Sequence, residues 1–152
     1  YNRRYIIKRL NESEKRYQRN QSVFSIIICD IDLFKTVNDR YGHDCGDFAL
    51  SSVAKLIYNC CRGQDVVARW GGEEFLILTP DSNKYGAQAL AERIRKELES
   101  KTLQYGDISL KITMTFGVSE YSKCLGIEGT IRNADMALLH GKKHGSNQVV
   151  VF

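Results

Sequence analysis

Proline occurs once in 152 residues, tryptophan once and methionine twice. No apolar run approaches the ~20 residues that a membrane-spanning helix needs. The opening Tyr1-Asn2-Arg3-Arg4-Tyr5 is charged and lacks the apolar stretch of a signal peptide. There is no internal repeat, no low-complexity tract and no long basic run, so nothing points to nucleic-acid wrapping. The five cysteines, at 29, 45, 60, 61 and 124, are odd in number and irregularly spaced, which suits neither a disulfide framework nor a zinc site. They are expected as reduced thiols of a cytoplasmic protein, with Cys29 and Cys60 in the core.

What remains is ordinary globular material. The chain is 43% hydrophobic and 26% charged, with a mild net charge of +4. Its length fits one domain over 1–152 with a core of useful size. The abrupt start without a methionine suggests a domain excised from a longer protein, its regulatory part lying upstream.

Residues 3–17 read as a mostly exposed helix, with Ile6, Leu10 and Tyr17 at helical spacing. The apolar run 23–29 is short enough to be a central strand buried on both faces. A short helix follows over 33–40, ended by Gly42. A longer one carries Ala49, Val53, Leu56, Ile57 and Cys60 as a single stripe. Strands 65–70 and 73–79 flank Gly71-Gly72, where a hairpin with positive φ is expected. Residues 84–99 are helical, and 108–119 alternate as one half-buried strand. A helix near 128–141 and a strand at 147–152 complete the chain. The fold class is therefore α/β (α+β), a central mixed sheet flanked by helices.

Two acidic clusters stand at strand ends. Asp30 and Asp32 close the apolar strand, and Glu73 and Glu74 follow the glycine pair. If those strands are neighbours, Asp30 converges with one of the glutamates. Gathered carboxylates repel unless a cation lies between them, and hard oxygen ligands suit Mg²⁺, which also takes substrate phosphates. Taken singly, each cluster also reads as turn residues or a solvated strand end. Between them, Asn38 and Asp47 are groups able to read guanine, and Lys35 is a point charge suited to phosphate. Asp47 also reads as a charge favoured in a helix's first turn, and His43 as a capping or core histidine.

Several motifs now appear in one order: Asp30-Ile31-Asp32-Leu33-Phe34-Lys35, Asn38-Asp39, Gly42-His43, Gly46-Asp47 and Gly71-Gly72-Glu73-Glu74-Phe75. Thr115-Phe116-Gly117-Val118-Ser119 and Ala134-Asp135-Met136-Ala137-Leu138 follow. Across essentially the whole chain this resembles the GGDEF family, with Asn2-Arg3-Arg4 similar to the end of its amino-terminal signature.

The resemblance implies a fold related to nucleotidyl cyclases and polymerase palms. It also implies a diguanylate cyclase of bacterial signalling, condensing two GTP into cyclic di-GMP with release of two pyrophosphates across a homodimer. Asp30 and Glu73, with the Ile31 carbonyl, would bind Mg²⁺ or Mn²⁺. Glu74 would help bind metal or deprotonate the attacking 3′-hydroxyl. Asn38 and Asp47 would read guanine, Asp47 favouring GTP over ATP. Phe34, Lys35 and Lys142 would surround the triphosphate, and Gly71 and Gly72 would let the backbone approach it. Arg62-Gly63-Gln64-Asp65 matches the family's RxxD inhibitory site for product, with Arg93 as a contributor from a neighbouring molecule. Partners implied are GTP, cyclic di-GMP and a second copy, with no nucleic acid and no membrane contact by the domain itself.

The chain departs from the family near its carboxyl end. Lys142 is kept, but Ser146 stands where an arginine would contact phosphate, with Lys143 and His144 as candidate substitutes. Lower GTP affinity is expected. The rival reading is a receptor that binds GTP or cyclic di-GMP without turning it over.

Overall fold

The computed structural model describes residues 1–152. The elements run α1 (Arg3–Asn20), β1 (Phe24–Ile31), α2 (Phe34–Tyr41), α3 (His43–Cys60), β2 (Val66–Arg69), β3 (Glu74–Pro80), α4 (Lys84–Ser100), β4 (Leu103–Tyr105), β5 (Ile108–Leu110), β6 (Met114–Glu120), α5 (Gly126–Lys143) and β7 (Val149–Val151). The main sheet has the order β2-β3-β1-β6-β7, and β4 and β5 form a separate hairpin. β1 pairs antiparallel with β3 and β6, whereas β6 and β7 run parallel, so the sheet is mixed as expected.

β1 owes its central place to apolar side chains on both faces. Ile27, Cys29 and Ile31 pack with the α3 stripe of Ala49, Val53, Leu56 and Ile57 and with α4. Ile26 and Ile28 pack on the other side against Ile6 and Leu10 of α1 and Ala134 and Leu138 of α5. Each such isoleucine, almost fully buried, contributes about 1.5–3 kcal/mol of transfer free energy. Gly117 lets α5 lie directly on β6: a Cβ there would stand 2.0 Å from the Ala134 carbonyl oxygen. That contact sets how far the end of α5 reaches toward the sheet edge.

Gly42, with φ +90, ends α2 and leads straight into α3, which starts at His43. His43 is exposed, so it is neither a core histidine nor a side-chain cap.

Four expectations are corrected. The strand over 108–119 is broken: β5 turns back on β4, a strand the sequence reading missed, and only β6 enters the main sheet. The alternation holds through Thr113, but from Met114 to Ser119 both faces are buried because helices cover both sides. Gly71 and Gly72 do not have positive φ. The reversal is instead spread over Trp70–Glu73, closed by the Trp70 and Gly71 amides donating to the Glu74 carbonyl at 2.8 and 3.3 Å. The Arg69 guanidinium donates to the Gly72 carbonyl at 2.6 and 3.0 Å. Cys60 is only half-buried at the margin of the core, while Cys45, which was not assigned there, is fully buried.

Candidate active site

The acidic clusters meet where β1 and β3 end. Asp30 lies directly opposite Glu74 in the β1–β3 register. By strand alternation both point to the face that carries Ile28 and Leu76, the side covered by α1 and α5. Glu73 sits on the turn, where its carbonyl accepts from the Ile31 amide at 3.3 Å. The Asp30 side chain is only 23% exposed, and its Oδ1 is buried without a partner. Its Oδ2 stands 3.9 Å from Lys142 Nζ, too far for a hydrogen bond.

Burial pushes the Asp30 carboxyl up to about 6; Lys142 opposes this, and Glu73, Glu74 and Asp32 add to it. Glu74 is also raised, first by burial and then by Asp135 and Glu73. No three Asp, Glu, His or Cys side chains are gathered as a complete metal cage. A magnesium-type ion held by one or two carboxylates and by substrate phosphates needs none. The orphaned Asp30 oxygen and the repelling pair therefore fit such an ion.

Asp32, two residues on, is the reverse case. Its Oδ1 accepts from Thr115 Oγ1 at 2.7 Å and Lys142 Nζ at 2.6 Å. Its Oδ2 accepts from Thr113 Oγ1 at 2.7 Å and the Asn147 amide at 3.0 Å. Although burial acts to raise its pKa, Lys142, Thr115 and Thr113 together hold it below the ordinary value.

On the other side of the edge, Leu33 takes a left-handed conformation (φ 56) and α2 begins with no side-chain cap. Its first amides are therefore free to meet an anion. Lys35 is exposed beside them, whereas Phe34 is a core side chain, 8% exposed. A Cβ on Gly46 would overlap Asn38 Oδ1 at 1.8 Å, so this glycine brings the Asn38 amide against α3, one residue before Asp47. Asp47 lines an open groove of about 790 Å³ with Leu50, Ser51, Arg69 and Phe75. The space over Gly72 is empty, and nothing but Glu74 stands over Gly71.

The family model for the diguanylate cyclase GGDEF domain matches residues 1–148. The chain belongs to the GGDEF family. It is 41% identical over 132 residues to diguanylate cyclase A of Treponema denticola, covering 86% of this chain and 36% of that protein. It is 35% identical over 153 residues to the response regulator PleD of Caulobacter vibrioides, covering 99% of this chain and 34% of that protein. The chain thus spans about a third of the length of these curated relatives. Among solved structures, the active GGEEF domain of a diguanylate cyclase from Vibrio cholerae superposes with a TM-score of 0.92 at 32% identity, over 99% of this chain and 96% of that one. SiaD of Pseudomonas aeruginosa, solved with its activator SiaC, gives 0.95 at 36% identity, over 99% of this chain and 58% of that one.

Elsewhere in the GGDEF domain, Arg62, Asp65 and Arg93 share one corner, at the opposite end of β2 from the hairpin. Asp65 has a fully buried side chain that accepts from the Arg62 amide at 2.8 Å, and the Arg62 guanidinium stands 3.7 Å away, half exposed. Arg93 reaches this corner from α4 of the same molecule, donating to the Cys60 carbonyl at 2.5 Å.

Near the carboxyl end, Ser146 and Asn147 have positive φ (57 and 46). His144 is turned back on its own helix, with Nδ1 2.8 Å from the His140 carbonyl and the two rings stacked at 4.1 Å. Sequence reasoning gave no role to Asp32, Asp135 or the uncapped start of α2. Only the DxD spacing hinted at the first of these.

Proposed function

We propose that this domain condenses two GTP molecules into cyclic di-GMP, one GTP being held by each of two facing copies. The observation that carries the reading is the buried, unpartnered Asp30 oxygen set opposite Glu74 beside a glycine turn that leaves room for a nucleotide. Asp30, the Ile31 carbonyl and Glu74 are the groups to hold Mg²⁺ or Mn²⁺, with Glu73 alongside. When bound, the ion neutralises phosphate charge and favours in-line displacement at the α-phosphorus. Glu74, which faces Asp30 across the two strands, is our choice for the ion. Glu73, on the turn, is then placed to take the proton from the 3′-hydroxyl as its oxygen bonds to the α-phosphorus and pyrophosphate leaves.

Asn38 and Asp47 face the base. The amide bonds the guanine carbonyl, and the carboxylate accepts from N1–H and the amino group. Adenine offers neither of those donors to Asp47. Product should therefore form from GTP and Mg²⁺ in an artificially dimerised domain, and not from ATP. Comparable turnover of both nucleotides defeats the assignment of Asp47. Nucleotide binding without product supports the receptor reading instead.

Arg62 presents a half-exposed guanidinium suited to a guanine or phosphate of the product, while the Asp65 carboxylate, buried beneath it, holds the Arg62 amide and reaches no ligand directly. Exposed Arg62 adds little to stability. Arg62→Ala should relieve inhibition by cyclic di-GMP and leave initial rates intact, and inhibition that persists removes this site. Guanine nucleotides as substrate, with five unpaired thiols, fit a cytoplasmic domain.

A further inference from the structure

We infer that Asp32 is a positioning residue that holds the Lys142 ammonium at the edge of the carboxylate site, oriented for a nucleotide phosphate. The inference rests on the proposed function for its phosphate half and on geometry alone for the tether.

A lysine near a helix end ordinarily extends its ammonium into water. Lys142 does the opposite. Its ammonium lies 2.6 Å from Asp32 Oδ1 and 3.9 Å from Asp30 Oδ2, yet the side chain remains 24% exposed and open to a ligand. An ammonium has three donors, and Asp32 takes one. The other two have no hydrogen-bond partner, and the nearest further carboxylate oxygen, Asp30 Oδ2, stands 3.9 Å away.

Asp32 is fixed more firmly than a lock between strands requires. Three further donors hold its carboxylate: Thr113 just before β6, Thr115 within it, and the Asn147 amide beyond α5. Its own amide donates to the Thr113 carbonyl at 2.9 Å. Thr115 Oγ1 also accepts from the Asn147 amide at 3.0 Å. The lysine is thus held by a side chain that cannot itself turn. Its 5% exposure keeps water from competing. Asp32 has no free lone pair directed at the site, so it acts through Lys142 and not on substrate.

The test is a cycle of Asp32→Asn, Lys142→Met and the double variant, assayed for GTP turnover in a dimerised domain. A residue acting through Lys142 should raise KM about tenfold with kcat changed by less than about threefold, and the double variant should match Lys142→Met alone. Multiplying effects, or a fall in kcat at constant KM, would overturn the inference.

Should Asp32→Asn fail to fold, Thr115→Val loosens the same carboxylate without altering charge. It should raise KM roughly two- to threefold in the native background and not at all beside Lys142→Met. An unchanged KM in this variant counts against positioning.

The tether is read separately from nitrogen NMR of the lysine ammonium. A slowly exchanging Lys142 signal is expected in the native protein and not in Thr115→Val. Its absence from the native protein removes the tether. A native protein that shows the signal but neither binds nor turns over GTP overturns the proposed function and the phosphate half with it, and leaves the tether standing.

Discussion

The sheet edge at Asp30 and the pocket around Asp32 lie two residues apart, yet folding treats them in opposite ways. Asp30 is buried opposite another carboxylate, keeps one oxygen without a partner, and is pushed up to about 6. Asp32 is buried among four donors and held below its ordinary pKa. Burial acts to raise both. What separates them is whether the chain supplies the compensating hydrogen bonds. A carboxylate that the fold satisfies is fixed in place and can act only through the groups it holds. One buried beside others of its kind and left unsatisfied costs stability, a cost that a cation bound there would offset.

The largest expected effect tests that contrast directly. Asp30→Asn should lower product formation by roughly 10²–10³-fold, since it removes a charge placed where transition-state charge must be balanced. The same change should leave thermal stability unchanged or slightly raised, because it relieves an unpartnered charge facing Glu74. Rate assays and thermal melts on one preparation check both halves. A strongly destabilised Asp30→Asn would show that Asp30 is scaffold after all.

Asp32→Ala should behave in the opposite sense. It strips the acceptor from two hydroxyls, an ammonium and a backbone amide, at a cost of about 3 kcal/mol. For a domain of this size that lowers Tm by roughly 6–12 °C. Calorimetry decides it, and a melting temperature within a degree or two of the native value would mean that the four contacts carry little.

The contrast explains what was legible in the sequence. The central strand, the α3 stripe and the mixed sheet could all be read, because apolar periodicity records which faces are buried. The convergence of Asp30 with a glutamate could be read because strand ends in a small sheet are neighbours. Which glutamate faces Asp30 depended on the β1–β3 register, and periodicity does not record register. The break at 111–113 was hidden because Ile108, Leu110 and Ile112 alternate in phase with Met114, so one pattern ran across two sheets. Asp32 was grouped with Asp30 and its separate role was hidden, because its partners come from residues 113, 115, 142 and 147, distant in sequence and brought together only by α5 lying on β6 across Gly117. That Arg93 of the same molecule also stands at the Arg62–Asp65 corner could not be read either, because it lies on α4, some thirty residues along the chain.

The smallest effect is the dependence of stability on pH, and it sharpens the contrast by sign. Asp30 rises from the ordinary 3.8 to about 6 on folding, so between those values the folded protein binds more protons than the unfolded chain. Stability on its account therefore increases as pH falls from about 7 to about 5. Allowing for solvent screening, the gain is about 1 kcal/mol. Asp32 contributes the other way: its pKa is lowered on folding, so its stabilisation is complete above 3.8 and is lost only as pH falls through the depressed value. Melts across this range should thus show a shallow rise toward pH 5 and a fall below about 4. Asp30→Asn should remove its share of the rise, leaving the part due to Glu74, and spare the fall. Millimolar Mg²⁺ should do the same, since an ion between Asp30 and Glu74 favours the charged carboxylates and stabilises the fold most at neutral pH. A rise toward pH 5 left undiminished by both Asp30→Asn and saturating Mg²⁺ would place its origin away from this edge.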